Sequence, residues 1–187
     1  MAGILALFFN DVFGAEPVEI GLLMSLSGFI ALLASWLSGR ASDKFGRKPV
    51  IAFGGIPARI LGSVIPLGNL RTASIFYVTR DFMWRMYNVG LRSLRADLAP
   101  PEIRGRLYGL YRTFFDARDI VVPIMATYLY EAYRSKTFQI SGFMVPGYGG
   151  PFYMNSAIGL ITIAIILTFI KGERRVDRTQ HPNEVLD

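Results

Sequence analysis

Residues 20–38, IGLLMSLSGFIALLASWLS, run nineteen positions without a charged side chain, and residues 152–170, FYMNSAIGLITIAIILTFI, do the same. About 20 such residues in a helix cross the roughly 30 Å hydrocarbon core of a bilayer. Within it every backbone N–H and C=O must be bonded inside the segment, which a helix achieves alone. These runs predict an all-α membrane protein. Residues 50–69 form a third span, interrupted only by Arg59. Residues 74–98 and 106–130 are long enough but carry several charges, so they read as spans with a polar face. Residues 1–14 allow only about 20 Å of helix at 1.5 Å per residue and read as the later two-thirds of a span whose beginning is absent. The expected organisation is a six-span bundle over residues 1–171 (1–14 partial, 20–38, 50–69, 74–98, 106–130 and 152–170), then a polar tail, 172–187.

Composition agrees: 52% of residues are apolar and 18% charged, against about a quarter in soluble domains. With no cysteine and a single histidine, His181, thiolate sites, zinc centres and nucleophilic triads have almost nothing to build on. No cofactor is expected. MAGILALFFNDVFG lacks a basic leader and contains an aspartate, so it does not read as a cleaved signal.

The net charge of +6 can suggest nucleic acid, but the cations alternate by connection. Ten sit in alternate connections and the tail: Arg40, Lys44, Arg47 and Lys48, then Arg104 and Arg106, then Lys171, Arg174, Arg175 and Arg178. The opposite connections hold three, Arg71, Arg134 and Lys136, and seven lie inside spans. Cytoplasmic loops collect Lys and Arg, so loops 39–49 and 99–105 and the tail are assigned to the cytoplasm. The partner implied is the lipid bilayer of a cell membrane, not nucleic acid.

The connection GRASDKFGRKP, residues 39–49, carries more than an anchor needs. A glycine at a span's end permits close approach of a neighbour, a second permits a tight turn, and Asp43 can cap or pair at the membrane face. Gly39-x-x-x-Asp43-Lys44-x-Gly46-Arg47-Lys48 matches the signature loop of the major facilitator superfamily, G-x-x-x-D-[RK]-x-G-[RK]-[RK]. The stretch ADLAPPEIRGRLYGLYRTFFDARDIVVPIMATYLYE is similar to the family's loop and helix two spans further on. There Pro100 and Pro101 end one helix and begin the next, and Gly105 and Gly109 offer a close-packing face. The resemblance covers roughly residues 15–170. It implies a six-helix half of a twelve-span transporter, its first helix truncated. The charged tail after the sixth span favours a C-terminal half, although the full signature loop is commoner in N-terminal halves. By resemblance, Asp43 is a latch carboxylate of alternating access and Arg47 its supporting cation.

Charge at mid-bilayer is expensive and marks cavities or partners. Asp81, Arg85, Asn88, Arg92 and Arg95 fall at i, i+4, i+7, i+11 and i+14, within about 80° of helical arc. Tyr108, Arg112, Asp116 and Asp119 form a second stripe. One reading is a structural ion-pair network, Asp81 holding Arg85 and Arg112 holding Asp116. The other is a solute or ion pathway through Asp81, Arg85, Asn88, Arg92, Arg112, Asp116 and Asp119. The arginine excess on the first stripe favours it, because buried cations without partners are costly. In the family the first and fourth spans line the pathway and the third and sixth face lipid; Arg59, in the third, is the exception. Arg85 and Gly90 lack the rest of the family's antiporter signature. Asp116 and Asp119 can be proton carriers or permanent counter-ions.

The functions weighed are three. The first is secondary transport of a small, possibly anionic, solute by one half rocking against a second six-helix half. The second is a truncated or accessory membrane protein that does not transport. The third, intramembrane hydrolysis by Asp116 and Asp119, has no companion motif, and no enzyme activity is expected.

Overall fold

A computed structural model describes residues 2–140 and 143–169. Six helices appear in order: α1 (Ala2–Phe13), α2 (Pro17–Phe45), α3 (Arg47–Val64), α4 (Leu70–Leu98), α5 (Arg104–Tyr133) and α6 (Gly150–Phe169). The tail, 172–187, lies outside the described residues. Short 3-10 turns at Ile65–Leu67 and Gly147–Gly149 follow α3 and precede α6. Between α5 and α6 the chain departs from the all-helical expectation: β1 (Thr137–Ile140) and β2 (Phe143–Pro146) pair antiparallel, Thr137 opposite Pro146.

Local chemistry sets the boundaries. At the start of α2, Pro17 occupies the first turn, and Glu16 and Glu19 exchange side-chain and backbone bonds in a capping box. At the start of α4, Asn69 Oδ1 accepts from the Thr72 N–H at 3.0 Å while Thr72 Oγ1 accepts from the Asn69 N–H at 2.9 Å. The turn from α2 into α3 uses one residue, Gly46, at φ 91° and ψ 169°. Only glycine adopts that conformation cheaply. Gly46→Ala is therefore expected to lower stability by about 1–3 kcal/mol, read as an earlier denaturation midpoint in micelles.

The packing is that of helices in lipid, where apolar tails supply no inward force and close backbone approach does the work. The buried residues of α2 are all small, Ser27, Ala31, Ala34, Ser38 and Ser42, whereas Leu22, Phe29, Leu32 and Trp36 point outward. Helix α3 lies against α4 and α6 through glycines: Gly54 abuts the α4 backbone, Gly55 meets Tyr87 and Ile163, and Gly90 of α4 meets Ile51. Among the described residues three helices, Pro17–Phe45, Arg47–Leu67 with its 3-10 turn, and Gly147–Phe169 with the turn before it, are long and apolar enough to cross a membrane. Together with the outward-facing large side chains they make this an integral membrane protein of all-α class.

Two apolar clusters mark the ends of the bundle. Leu5, Phe8, Phe9, Ile65 and Tyr130 gather near the hairpin; Ile51, Tyr87, Leu94 and Ile163 gather toward the Gly46 turn. Although α1 is only twelve residues long, Phe8 and Phe9 are fully buried and meet Tyr148, Phe152 and Tyr77 edge-on or tilted. In VPGYGGPFY, residues 145–153, Tyr148 is half-buried. Its ring lies 5.8 Å from Phe8 and its hydroxyl donates to the Pro66 carbonyl at 3.4 Å. The Gly147 N–H, bonded to the Lys136 carbonyl at 2.8 Å, draws the strand end over the bundle and carries Tyr148 with it.

Candidate functional site

At the Gly46 turn the signature residues form a charged knot. Arg47 Nη1 donates to Asp43 Oδ1 at 3.0 Å and to Ser42 Oγ at 3.1 Å, and Nε donates to Asp97 Oδ2 at 3.0 Å. Asp43 and Ser42 belong to α2 and Asp97 to the last turn of α4, so one guanidinium, itself 31% exposed, ties two helices. Lys48 Nζ donates to the Leu167 carbonyl at 3.2 Å, placing a cation at the C-terminal end of α6 where the helix dipole favours it. Arg104 Nη2 donates to the Ala96 and Ala99 carbonyls at 3.3 and 3.2 Å, closing α4 in the same way.

Lys44 stays local, 5.4 Å from the Phe45 ring centroid. Arg40 lies 3.8 Å over Trp36, a cation and an indole anchored together at the helix end. Gly39, Gly105 and Gly109 have no neighbour within 4 Å among the described residues, so none of these uses the close approach that their spacing offers. Asp97 is the member of the knot that sequence reasoning missed. Its signal is a carboxylate in the last turn before a loop assigned to the same side as loop 39–49.

The two polar stripes meet differently. On α4, Asp81 Oδ2 accepts from Ser27 Oγ of α2 at 2.8 Å and lies 3.9 Å from Arg85 Nε. Its side chain is 16% exposed against 50% for Arg85. Ser27, a second residue missed, is visible only once α2 is seen to turn its small residues toward α4. Asn88 donates to its own helix, at the Trp84 carbonyl, at 2.7 Å. Arg92 is exposed, with no ion pair or hydrogen bond among the described residues. Arg95 donates to the Leu91 carbonyl and lies 4.0 Å over Tyr111 of α5.

On α5 the charges pair along their own helix: Arg112 with Asp116 at 3.0 Å and Arg118 with Asp119 at 2.6 Å, all exposed. Exposed pairs of this kind contribute about 0–1 kcal/mol. No ion pair joins the α4 stripe to the α5 stripe among the described residues, so the two surfaces present separate charges outward. At the hairpin end Tyr130 Oη donates to Asp11 Oδ2 at 3.4 Å, with Arg134 Nη1 4.0 Å from the same oxygen.

Arg59 also finds its place. It is 9% exposed, lies 4.5 Å over the Trp84 ring, and donates through Nη1 to Asn155 Oδ1 at 3.1 Å and to the Asn155 carbonyl at 3.3 Å. It thus points into the seam between α4 and α6, with Gly159 giving it room.

Three proteins give the comparison its scale. The chain is 27% identical to the MFS-type transporter YfkL of Bacillus subtilis over 82% of its own length and 36% of that protein. It is 28% identical to the inner membrane protein YihN of Escherichia coli over 88% of itself and 38% of that protein. It is 21% identical to a Na(+), Li(+), K(+)/H(+) antiporter of Planococcus maritimus over 70% of itself and 32% of that protein. The chain thus spans about a third of the length of the curated relatives it matches. No solved structure matches it at comparable significance. The family model of the Major Facilitator Superfamily matches residues 1–185; with Asp43 and Arg47 of the signature loop paired and its helices packed for lipid, this chain belongs to that superfamily.

Proposed function

We propose that the chain acts as one six-helix half, C-terminal by preference, of a secondary transporter of the cell membrane. It moves a small anionic solute by alternating access against a second six-helix unit. In this reading residues 1–171 form the bundle, loops 39–49 and 99–105 and tail 172–187 face the cytoplasm, and the Asp43–Arg47 knot latches the cytoplasmic ends. The observation that carries it is the α4 stripe: Arg85 is half exposed and Arg92 exposed, on a helix otherwise set among apolar spans. Cations at such a surface need water, a ligand or a facing bundle. The α5 stripe, with Arg112, Asp116 and Asp119, supplies the adjoining wall, and Asn88 a neutral polar contact.

The test is uptake in membranes containing this chain and its second half. Arg85→Gln or Arg92→Gln is expected to cut uptake about tenfold or more, equivalent to about 1.4 kcal/mol, with insertion unchanged. Unaltered uptake in both variants removes the stripe from the mechanism. A second reading, cation-for-proton exchange like that named for the Planococcus relative, is favoured by Asp81, the least exposed ion-paired carboxylate among the described residues. Loss of exchange in Asp81→Asn alone, with both arginine variants active, selects that reading. An accessory, non-transporting role predicts that crosslinking in native membranes finds no second bundle beside the chain.

A further inference from the structure

Helix α2 has a face that neither the bundle nor the knot uses. Its buried residues, Ser27, Ala31, Ala34, Ser38 and Ser42, share one side. About 180° round the helix, at about 100° per residue, runs a column of large side chains. These are Val18, Leu22, Phe29 and Trp36, each between 58% and 69% exposed. The column ends in charge: Arg40 and then Lys44, both exposed, follow Trp36 in steps of four residues.

These two cations differ from the others of their loop. Arg47 is bonded to Asp43, Ser42 and Asp97, and Lys48 to the Leu167 carbonyl. Asp43, the one carboxylate between residues 39 and 49, is thereby taken. Among the described residues Arg40 and Lys44 have no carboxylate within 4.0 Å and no hydrogen-bond acceptor. What holds Arg40 is the indole, whose centroid lies 3.8 Å from the guanidinium carbon. A guanidinium over an aromatic ring keeps its N–H edge, and that planar edge fits two phosphate oxygens at once.

Depth agrees with that chemistry. Tryptophan settles where hydrocarbon meets headgroups, and the headgroup layer adds roughly 5–8 Å on each side of the core. Four helical residues rise about 6 Å, which sets Arg40 within that layer and Lys44 at its outer edge when Trp36 marks the boundary. We infer that this face of α2 binds an anionic phospholipid: Arg40, braced on Trp36, holds the phosphate, and the acyl chains lie along Phe29, Leu33 and Leu37. Lys44 supplies the preference, since its ammonium repels the choline of a zwitterionic headgroup and attracts a headgroup that carries only negative charge. The charges select the occupant. A second bundle laid here would bury both cations, whereas a lipid phosphate neutralises them and its chains cover the apolar column. The site depends on no transported solute.

The chain has two tryptophans, Trp36 and Trp84, so Trp84→Phe leaves Trp36 as a single reporter on the site. The full chain with that substitution is reconstituted in vesicles of phosphatidylcholine and phosphatidylglycerol, with brominated acyl chains on one lipid or the other. Bromine quenches an indole on contact, so the two quenching curves give the relative affinity of the lipids at Trp36. Phosphatidylglycerol is expected to be preferred about tenfold. Arg40→Gln/Lys44→Gln should abolish the preference. Arg106→Gln, which removes an exposed cation at the start of α5, should leave it unchanged. If Trp84→Phe does not fold, the difference between wild type and Trp36→Phe gives the same reading. Equal quenching by the two lipids overturns the proposal. So does a preference that survives the double glutamine variant or falls as far in Arg106→Gln, which assigns it to general surface charge. Weak quenching by both lipids also overturns it, because protein then covers this face.

Discussion

Alanine at Gly54 is expected to cost the fold about 3 kcal/mol or more, whereas alanine at Gly39 should be neutral or slightly stabilising. The two glycines lie in neighbouring apolar helices, but their surroundings differ. A Cβ on Gly54 would stand 2.5 Å from the Tyr87 backbone nitrogen, 2.7 Å from the Met83 carbonyl oxygen and 2.9 Å from Met86 Cβ. The first two are backbone atoms of α4 and cannot turn aside as a side-chain tip can, so α3 and α4 must separate along their contact. That separation also loosens Gly90 against Ile51 and Gly55 against Tyr87 and Ile163, spreading one methyl's clash over the seam. Gly39 faces open space, and there alanine gains up to about 1 kcal/mol of helix propensity. Reversible unfolding in mixed micelles with increasing dodecyl sulfate reads both. A Gly54→Ala midpoint indistinguishable from wild type would mean that α3 and α4 do not approach this closely.

That contrast shows what the sequence makes legible and what it hides. Charge-free runs announce membrane helices because the bilayer leaves the backbone no other economical option, and Gly46 is recognisable because a one-residue turn between two helices needs its backbone freedom. Which face of each helix packs inward is hidden. In water the apolar stripe answers this; in lipid both faces are apolar, and the α2 interface is drawn in serine and alanine while Phe29 and Leu32 face outward. For the same reason the close-packing glycines are Gly54, Gly55 and Gly90, not Gly105 and Gly109. Asp43 and Arg47 are readable as neighbours one helical turn apart. Asp97, fifty residues from Arg47, becomes their partner only when α4 is placed beside α2. Arg59 looks misplaced on a lipid-facing span until Trp84, Asn155 and Gly159 are seen to enclose it.

Charge reversal at Arg47 is the sharpest probe of the knot. The side chain makes three bonds, to Asp43, Ser42 and Asp97, and Arg47→Glu replaces them with three carboxylates crowded at one helix junction. Each partly exposed pair is worth at most about 1 kcal/mol, and repulsion of similar size adds to what is lost, for a total of about 2–3 kcal/mol. This falls on the separation of α2 and α3 from the end of α4, not on the whole fold, because the Ile51–Tyr87–Leu94–Ile163 cluster is untouched. The chain contains no cysteine, so Ser38→Cys introduces a single thiol, fully buried and one turn before Ser42. Its labelling by a water-soluble maleimide is expected to quicken about 30- to 100-fold in Arg47→Glu, at about 1.4 kcal/mol per factor of ten. In Arg47→Glu/Asp97→Arg the pair between α3 and α4 is rebuilt with its charges exchanged, and the rate should fall most of the way back. The acceleration should also shrink in 1 M salt, where the Debye length is about 3 Å. If labelling in Arg47→Glu stays at the wild-type rate, the knot does not hold these helices together; if the exchanged pair fails to slow it, Asp97 is not the partner that matters.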